Sequence, residues 1–199
     1  MSDMWEIESA LYDEGYVLIC GVDEAGRGPL AGPVCASAVI LPRGLEIEGL
    51  NDSKKLSAAK REALYDVICA RALYYGIAFA DVAEIEALNI LGATYLAMNR
   101  AISALGVHID LALIDGNRSG GIEYPSRTVV KGDAHCADIA AASILAKVTR
   151  DRLMVELDAE YPGYGFAKHK GYGTKEHYAA IRALGMSPVH RPSFLRKMH

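Results

Sequence analysis

The chain has 199 residues, 51% of them hydrophobic and 23% charged, with a formal net charge of −4 at pH 7. That length suits one compact domain, or one domain with a small appendage, and the apolar share is enough for a sizeable core. No uninterrupted apolar run nears the ~18 residues of a membrane span, and the acidic first residues lack the basic and apolar regions of a signal peptide, so a soluble protein is expected.

The charge is unevenly spread. Residues 1–26 hold seven acids and no Lys or Arg, whereas residues 161–199 hold seven bases against the single acid Glu176. Such asymmetry allows an acidic centre that binds cations beside a basic flank that holds a polyanion. The four cysteines, at 20, 35, 69 and 136, have neither zinc-ligand spacing nor the look of a disulfide framework, which fits a reduced, cytoplasmic compartment.

In chain order, apolar residues at Trp5, Ile7, Ala10 and Leu11 predict an amphipathic helix over 3–14, ended by Gly15. The apolar run Val17–Val22 reads as a buried strand, and Val34–Leu41 as a second, antiparallel to it through the glycine loop between them. A polar turn, 51–57, leads to a helix over Ala58–Ala72 capped by Ser57. Tyr74–Val82 alternates as a third strand. The stripe Leu88, Leu91, Tyr95, Met98 and Ile102 marks a helix over Val82–Leu105, read as core and not as a cofactor box.

Asp110–Asp115 predicts a short buried strand ending in an acid, and Arg127–Lys131 the last strand. Gly132-Asp133 then leads into a long helix that contains Ile139–Val148 and runs towards Glu160. Residues 161–173 form a loop rich in glycine and aromatics, in which Tyr164 and Phe166 read as packing residues. Thr174 caps a final helix up to Gly185, and an irregular tail follows. Strands first, a helical crossover and then strand–helix units give an α/β layer fold.

Chemistry concentrates at the end of the first strand. Asp23 and Glu24 run directly into Gly26-Arg27-Gly28, and charge at the end of a core strand must be paired, neutralised or metal-bound. One reading pairs Arg27 with these acids in a surface turn. The other is a divalent-cation site whose glycines let backbone amides approach a phosphate or sugar. The pattern Gly26-x-Gly28-x-x-Ala31 loosely matches a dinucleotide fingerprint, but a strand follows it where a helix is required, and that match is discarded. Neighbours on a regular strand face opposite sides, so Asp23 and Glu24 share a site only if the strand breaks there or Glu24 uses its longer reach.

Asp115 and Asp133 occupy comparable positions, at a strand exit and a helix start. Asp115 reads equally as a turn-starting residue and Asp133 as a helix N-cap. Convergent carboxylates without His or Cys favour Mg²⁺ or Mn²⁺. Lys54 and Lys55 are either solvated or contact phosphate beside a helix start. His169, His177 and His190 are not spaced as ligands and are expected at the surface or against phosphate. A non-catalytic nucleic-acid-binding module, with the acids and Arg27 as structural ion pairs, is the competing functional reading.

The run VDEAGRGPLAGPV at 22–34 resembles the signature of ribonuclease HII, the bacterial type 2 ribonuclease H. The resemblance extends from about Leu18 to Phe194 and includes the sequences KGD at 131–133, IAAASILAK at 139–147 and YPGYGF at 161–166. It implies a ribonuclease H-like mixed β-sheet flanked by helices over 1–150, with a small C-terminal helical, substrate-binding appendage over 151–199. It implies that Asp23, Glu24, Asp115 and Asp133 bind metal, and that Gly26-Arg27-Gly28 senses the ribose 2′-hydroxyl. Tyr172 is implied to stack at the junction of ribonucleotide and deoxyribonucleotide; by itself it also reads as a half-buried core tyrosine.

The implied reaction is hydrolysis of the phosphodiester 5′ to a ribonucleotide, in RNA/DNA hybrids or in duplex DNA with embedded ribonucleotides, leaving 3′-hydroxyl and 5′-phosphate ends. The implied cofactor is Mn²⁺ or Mg²⁺, two ions with substrate bound and as few as one without. A monomer that binds no membrane is expected, removing ribonucleotides during DNA repair or replication.

Overall fold

The computed structural model describes residues 4–50 and 56–196. Its frame is a five-stranded sheet in the order β3-β2-β1-β4-β5, made of β1 (Ile19–Ala25), β2 (Val34–Ile40), β3 (Tyr74–Ala80), β4 (Leu111–Asp115) and β5 (Ser126–Val129). The first three strands pair antiparallel, and β4 and β5 join parallel, so the sheet is mixed. Helices α1 (Glu6–Asp13), α2 (Ala58–Arg71), α3 (Val82–Ser103) and α4 (Ala137–Glu160) pack around it. The shorter α5 (Phe166–His169), α6 (Lys175–Leu184) and α7 (Pro192–Leu195) follow.

Every residue of β2 is buried, because helices cover both faces of the sheet. Two glycines set how closely they lie. A Cβ on Gly21 would fall 2.2 Å from the backbone of Asp138 and Ile139, and one on Gly76 would fall 2.2 Å from the carbonyl oxygen of Ala101. No side chain fits at either place, so α4 sits directly on one face of β1 and α3 directly on the other face of β3.

Several elements differ from expectation, among them the short α5 inside the expected loop 161–173 and the short α7 in the expected irregular tail. β1 does not stop at Val22 but continues through Asp23, Glu24 and Ala25, paired with Ser37, Ala36 and Cys35 of β2. The ladder with β2 uses backbone groups, so it persists after the apolar run has ended. The long helix does not begin at Gly132-Asp133. Lys131 takes a left-handed conformation, Gly132–Ala134 form a single 3₁₀ turn, and α4 starts three residues later at Ala137. A further break interrupts α3 at Asn89 (φ 60°), whose Oδ1 accepts from the amides of Leu91 and Gly92 and so caps the second half of the helix.

Thr174 caps α6 through the amide of His177, a one-sided cap as its spacing predicts. The C-terminal segment closes over Leu30 and Ala31 with Phe166, Ile181 and Leu195 around Met154 of α4. That packing ties the segment to the loop between β1 and β2.

Candidate active site

The acids meet because of strand register. β1 and β4 run parallel with Val22 opposite Ile114, so the next residue on each strand is an aspartate, Asp23 and Asp115. Register mates in a sheet point to the same face. Here that is the face covered by α4, whose Ser143 hydrogen-bonds the Asp23 side chain. Glu24 has the opposite parity. No break separates it from Asp23; instead β4 ends at Asp115 while β1 runs on, which leaves Glu24 at the rim of the sheet.

From there Glu24 lines two clefts, as Asp115 does. One, of about 220 Å³, includes Asp23, Gly26, Gly28, Lys147 and Tyr172; the other, of about 460 Å³, includes Arg27, Asn117 and Arg118. Asp115 is oriented by the amide of Gly132, which donates to its Oδ1 at 2.7 Å. Asp133 follows Gly132 directly and is buried, but it is not on the wall of either cleft.

Burial, then the charges of Glu24 and Asp115, hold the Asp23 carboxyl well above the usual carboxylate range, against the opposing hydrogen bonds from Ser143 and the Glu24 amide. Glu24 pairs with Arg27, Nη1 to Oε1 at 3.2 Å, and the Arg27 side chain is half exposed. The expected surface pairing therefore exists, but it takes up Glu24 alone and leaves Asp23 to its acidic neighbours. Among the described residues no three Asp, Glu, His or Cys side chains already close into a metal cage. The donor set nonetheless suits a hard divalent cation: it is all oxygen, and it contains a buried carboxyl destabilised by like charge.

The glycine loop stands beside these acids. Gly26 has φ +100°, open to glycine at little cost, and a Cβ on Gly28 would lie 3.6 Å from Cε1 of Tyr172. Tyr172 is 46% exposed on the cleft wall, not a core residue. Lys54 and Lys55 lie outside the described residues.

The histidines correct the sequence reading. His169, His177 and His190 are buried and packed together beneath Tyr172, with Tyr164 and Phe166 against them. A carbonyl only accepts, so His177 Nδ1–H donates to Tyr172 O at 2.9 Å and His169 Nε2–H donates to Tyr164 O at 2.8 Å. Sequence reasoning also passed over Ser143, Lys147, Arg150 and Arg191. The first three recur at helical spacing on one face of α4, a signal that the acids overshadowed.

Comparison with known proteins follows the same lines. The family model "Ribonuclease HII" matches residues 20–197. The chain belongs to the ribonuclease HII family. A Ribonuclease HII of Clostridioides difficile is 54% identical over 191 residues, 96% of this chain and 75% of that one. The crystal structure of ribonuclease H2 from Pyrococcus horikoshii OT3 superposes with a TM-score of 0.73 at 25% identity, covering 92% of this chain and 97% of that one. Bst-RNase HIII, solved in complex with Mn²⁺, has the same fold at a TM-score of 0.67 and 19% identity, over 88% of this chain and 65% of that one. The mixed sheet flanked by helices is thus ribonuclease H-like. Membership makes the protein a metal-dependent endoribonuclease, a hydrolase of the type 2 ribonuclease H class.

Proposed function

We propose that Asp23, Glu24, Asp115 and Asp133 are the metal-binding catalytic set of this ribonuclease, that Gly26-Arg27-Gly28 reads the ribose 2′-hydroxyl, and that Tyr172 stacks at the junction of ribonucleotide and deoxyribonucleotide. The observation that carries the proposal is one cleft lined by Asp23, Glu24 and Asp115 together with the glycine loop and Tyr172. Chemistry and substrate reading need to be within reach of a single nucleotide, and a shared cleft supports that reading. Lys54 and Lys55 are assigned to phosphate contact. Residues 1–150 serve as the catalytic core, with 151–199 as the substrate-binding appendage that carries Tyr172.

Mn²⁺ or Mg²⁺ suits the all-oxygen donors, and Mn²⁺ in Bst-RNase HIII supports the choice. Asp23, Glu24, Asp115 and Asp133 would hold two ions with substrate bound and as few as one without. When bound, the ions supply Lewis-acid activation of water and neutralise charge on the leaving 3′-oxygen. The chain's own part is orientation: Ser143 and the Glu24 amide hold Asp23, and the Gly132 amide holds Asp115. Backbone groups of the loop can both donate to and accept from a 2′-hydroxyl, the feature that separates RNA from DNA. Stacking on Tyr172 ignores base identity, as a sequence-independent enzyme requires.

The substrates are RNA/DNA hybrids and duplex DNA with embedded ribonucleotides, cut 5′ to the ribonucleotide. The enzyme works as a monomer in the cytoplasm, where free cysteines such as Cys20 and Cys136 stay reduced. A titration of Mg²⁺ and Mn²⁺ with a duplex holding one ribonucleotide and with a long hybrid tests this reading. Cleavage 5′ to the ribonucleotide is expected with either ion, and uncut duplex across the titration would overturn it.

A further inference from the structure

Arg191 is fully buried, yet its guanidinium forms no salt bridge among the described residues, and the one acid whose charge reaches it is Glu86. All its N–H donors go instead to backbone carbonyls of one loop. Nη2 donates to Gly26 O at 2.7 Å and Gly32 O at 2.7 Å, Nη1 to Arg27 O at 3.1 Å and Pro29 O at 2.8 Å, and Nε to Gly32 O at 2.9 Å. Its own amide donates to Leu30 O at 2.8 Å. Arg150, also buried, holds Ala31 O and Pro33 O from the other side and ties in Lys170 O, two residues before Tyr172. Burial and the neighbouring Arg150 push the Arg191 guanidinium down to about 9, so the arrangement is costly to keep charged.

In a trans peptide the N–H of one residue points away from the C=O of the residue before it, and the described chain has no cis peptide bond. Carbonyls of Gly26 and Arg27 drawn inward to Arg191 therefore turn the amides of Arg27 and Gly28 outward. Those residues line the cleft, and neither amide has a protein acceptor among the described residues. We propose that Arg191 is a positioning residue for ribonucleotide selection, holding the loop so that the Arg27 and Gly28 amides stand ready to donate to the ribose 2′-hydroxyl. This rests on the reading of Gly26-Arg27-Gly28 given above. A lysine keeps the charge but has three donors and no rigid fork, so it cannot hold the same carbonyls in place.

The test compares wild type with Arg191→Lys in affinity for two duplexes, in Ca²⁺: one DNA duplex with a single ribonucleotide, and the identical all-DNA duplex. Wild type is expected to prefer the ribonucleotide. In Arg191→Lys that preference should fall about tenfold, the loss of a well-aligned hydrogen bond, with all-DNA affinity unchanged. A merely structural residue would weaken both duplexes alike, and either that result or an undiminished preference overturns the proposal. A wild type without preference overturns the loop reading itself, which separates the two failures. Should Arg191→Lys not fold, amide exchange in wild type decides. Protection of the Arg27 and Gly28 amides by the ribonucleotide duplex alone supports the proposal; equal protection by both duplexes, or none, overturns it.

Discussion

Asp23 and Asp138 are buried acids at the same contact between β1 and α4, yet only Asp23 reaches a cleft. Around Asp23 the like charges of Glu24 and Asp115 border open space. Around Asp138 the space is sealed. Its Oδ1 accepts from Leu41 N at 2.8 Å, and Glu8 Oε1 accepts from Asp138 N at 3.2 Å and from Cys136 Sγ at 3.1 Å. The second oxygens, Asp138 Oδ2 and Glu8 Oε2, are buried without a partner among the described residues. In both places burial and a neighbouring acid favour the neutral form. Where a cleft admits ions, a divalent cation relieves that penalty; where it does not, a proton must. The same electrostatics thus makes a candidate metal site in one place and a pH-sensitive clamp on α1 in the other.

The largest effect should come from removing one open-cleft charge. Asp115→Asn keeps an oxygen to accept from Gly132 N, so the fold and duplex binding should survive. Single-turnover cleavage should fall by roughly a thousandfold or more, the several kcal/mol that a misplaced metal costs the transition state. Near-normal turnover would remove Asp115 from the metal set. Tyr172→Ala leaves the acids intact and should slow cleavage at a single embedded ribonucleotide about ten- to a hundredfold, the worth of one stacked base. Unchanged rates on that duplex would take Tyr172 out of the site.

The sealed pair calls for the opposite outcome, a gain. Glu8 is shifted upward from its ordinary value of 4.5, first by burial. Above that value the unfolded chain gives up the proton that the fold keeps, so stability is lost as pH rises through the folded titration. Glu8→Gln mimics the protonated acid and supplies donors where Oε2 has no partner. It should raise the melting temperature at neutral pH by about 4 °C, roughly 1–2 kcal/mol, with the advantage fading towards pH 4.5. A variant less stable than wild type at every pH would show that the pair is held some other way.

The smallest effect has the reverse slope. The histidine cluster is wired for the neutral form: Ser187 N donates to His190 Nδ1 at 2.9 Å, His190 Nε2–H meets His177 Nε2 at 3.1 Å, and His177 Nδ1–H holds Tyr172 O. An added proton would set N–H against N–H. Burial and the neighbouring His177 accordingly lower His190 from 6.5 to about 4. Its contribution is present above pH 6.5 and is lost as pH falls towards 4. Amide exchange at Gly171 and Tyr172 should accelerate over that interval, and His190→Gln should flatten the trend. Exchange independent of pH in wild type, after correction for intrinsic rates, would break the link between cluster and loop.

Much of the frame was legible because it depends on local pattern. Ser57 and Thr174 announced their helices through capping chemistry, and β2 declared itself by an apolar run interrupted only by Ser37. Tyr164 and Phe166 read correctly as packing residues. The misreadings came where distant partners decide. β1 carries its charged end only because β2 supplies a ladder. Asp133 sits in a 3₁₀ turn because Lys131 takes a left-handed conformation that nothing nearby in sequence demands. The three histidines looked like surface groups because polarity was the only signal available, and their neutral wiring needs carbonyls from Tyr164 and Tyr172 placed by the fold.

The amino-acid sequence alone settled which residues carry charge, the order of the main strands and helices, and, through one long motif, which family the chain resembles. Those depend on residue type and short spacing. Only the tertiary structure decided that Asp23 and Asp115 lie side by side, that Glu24 rounds the end of the sheet, and that Arg191 grips a loop more than a hundred residues away. Such pairings follow from strand register and close packing, in which each partner's position is set by contacts that neither sequence neighbourhood contains.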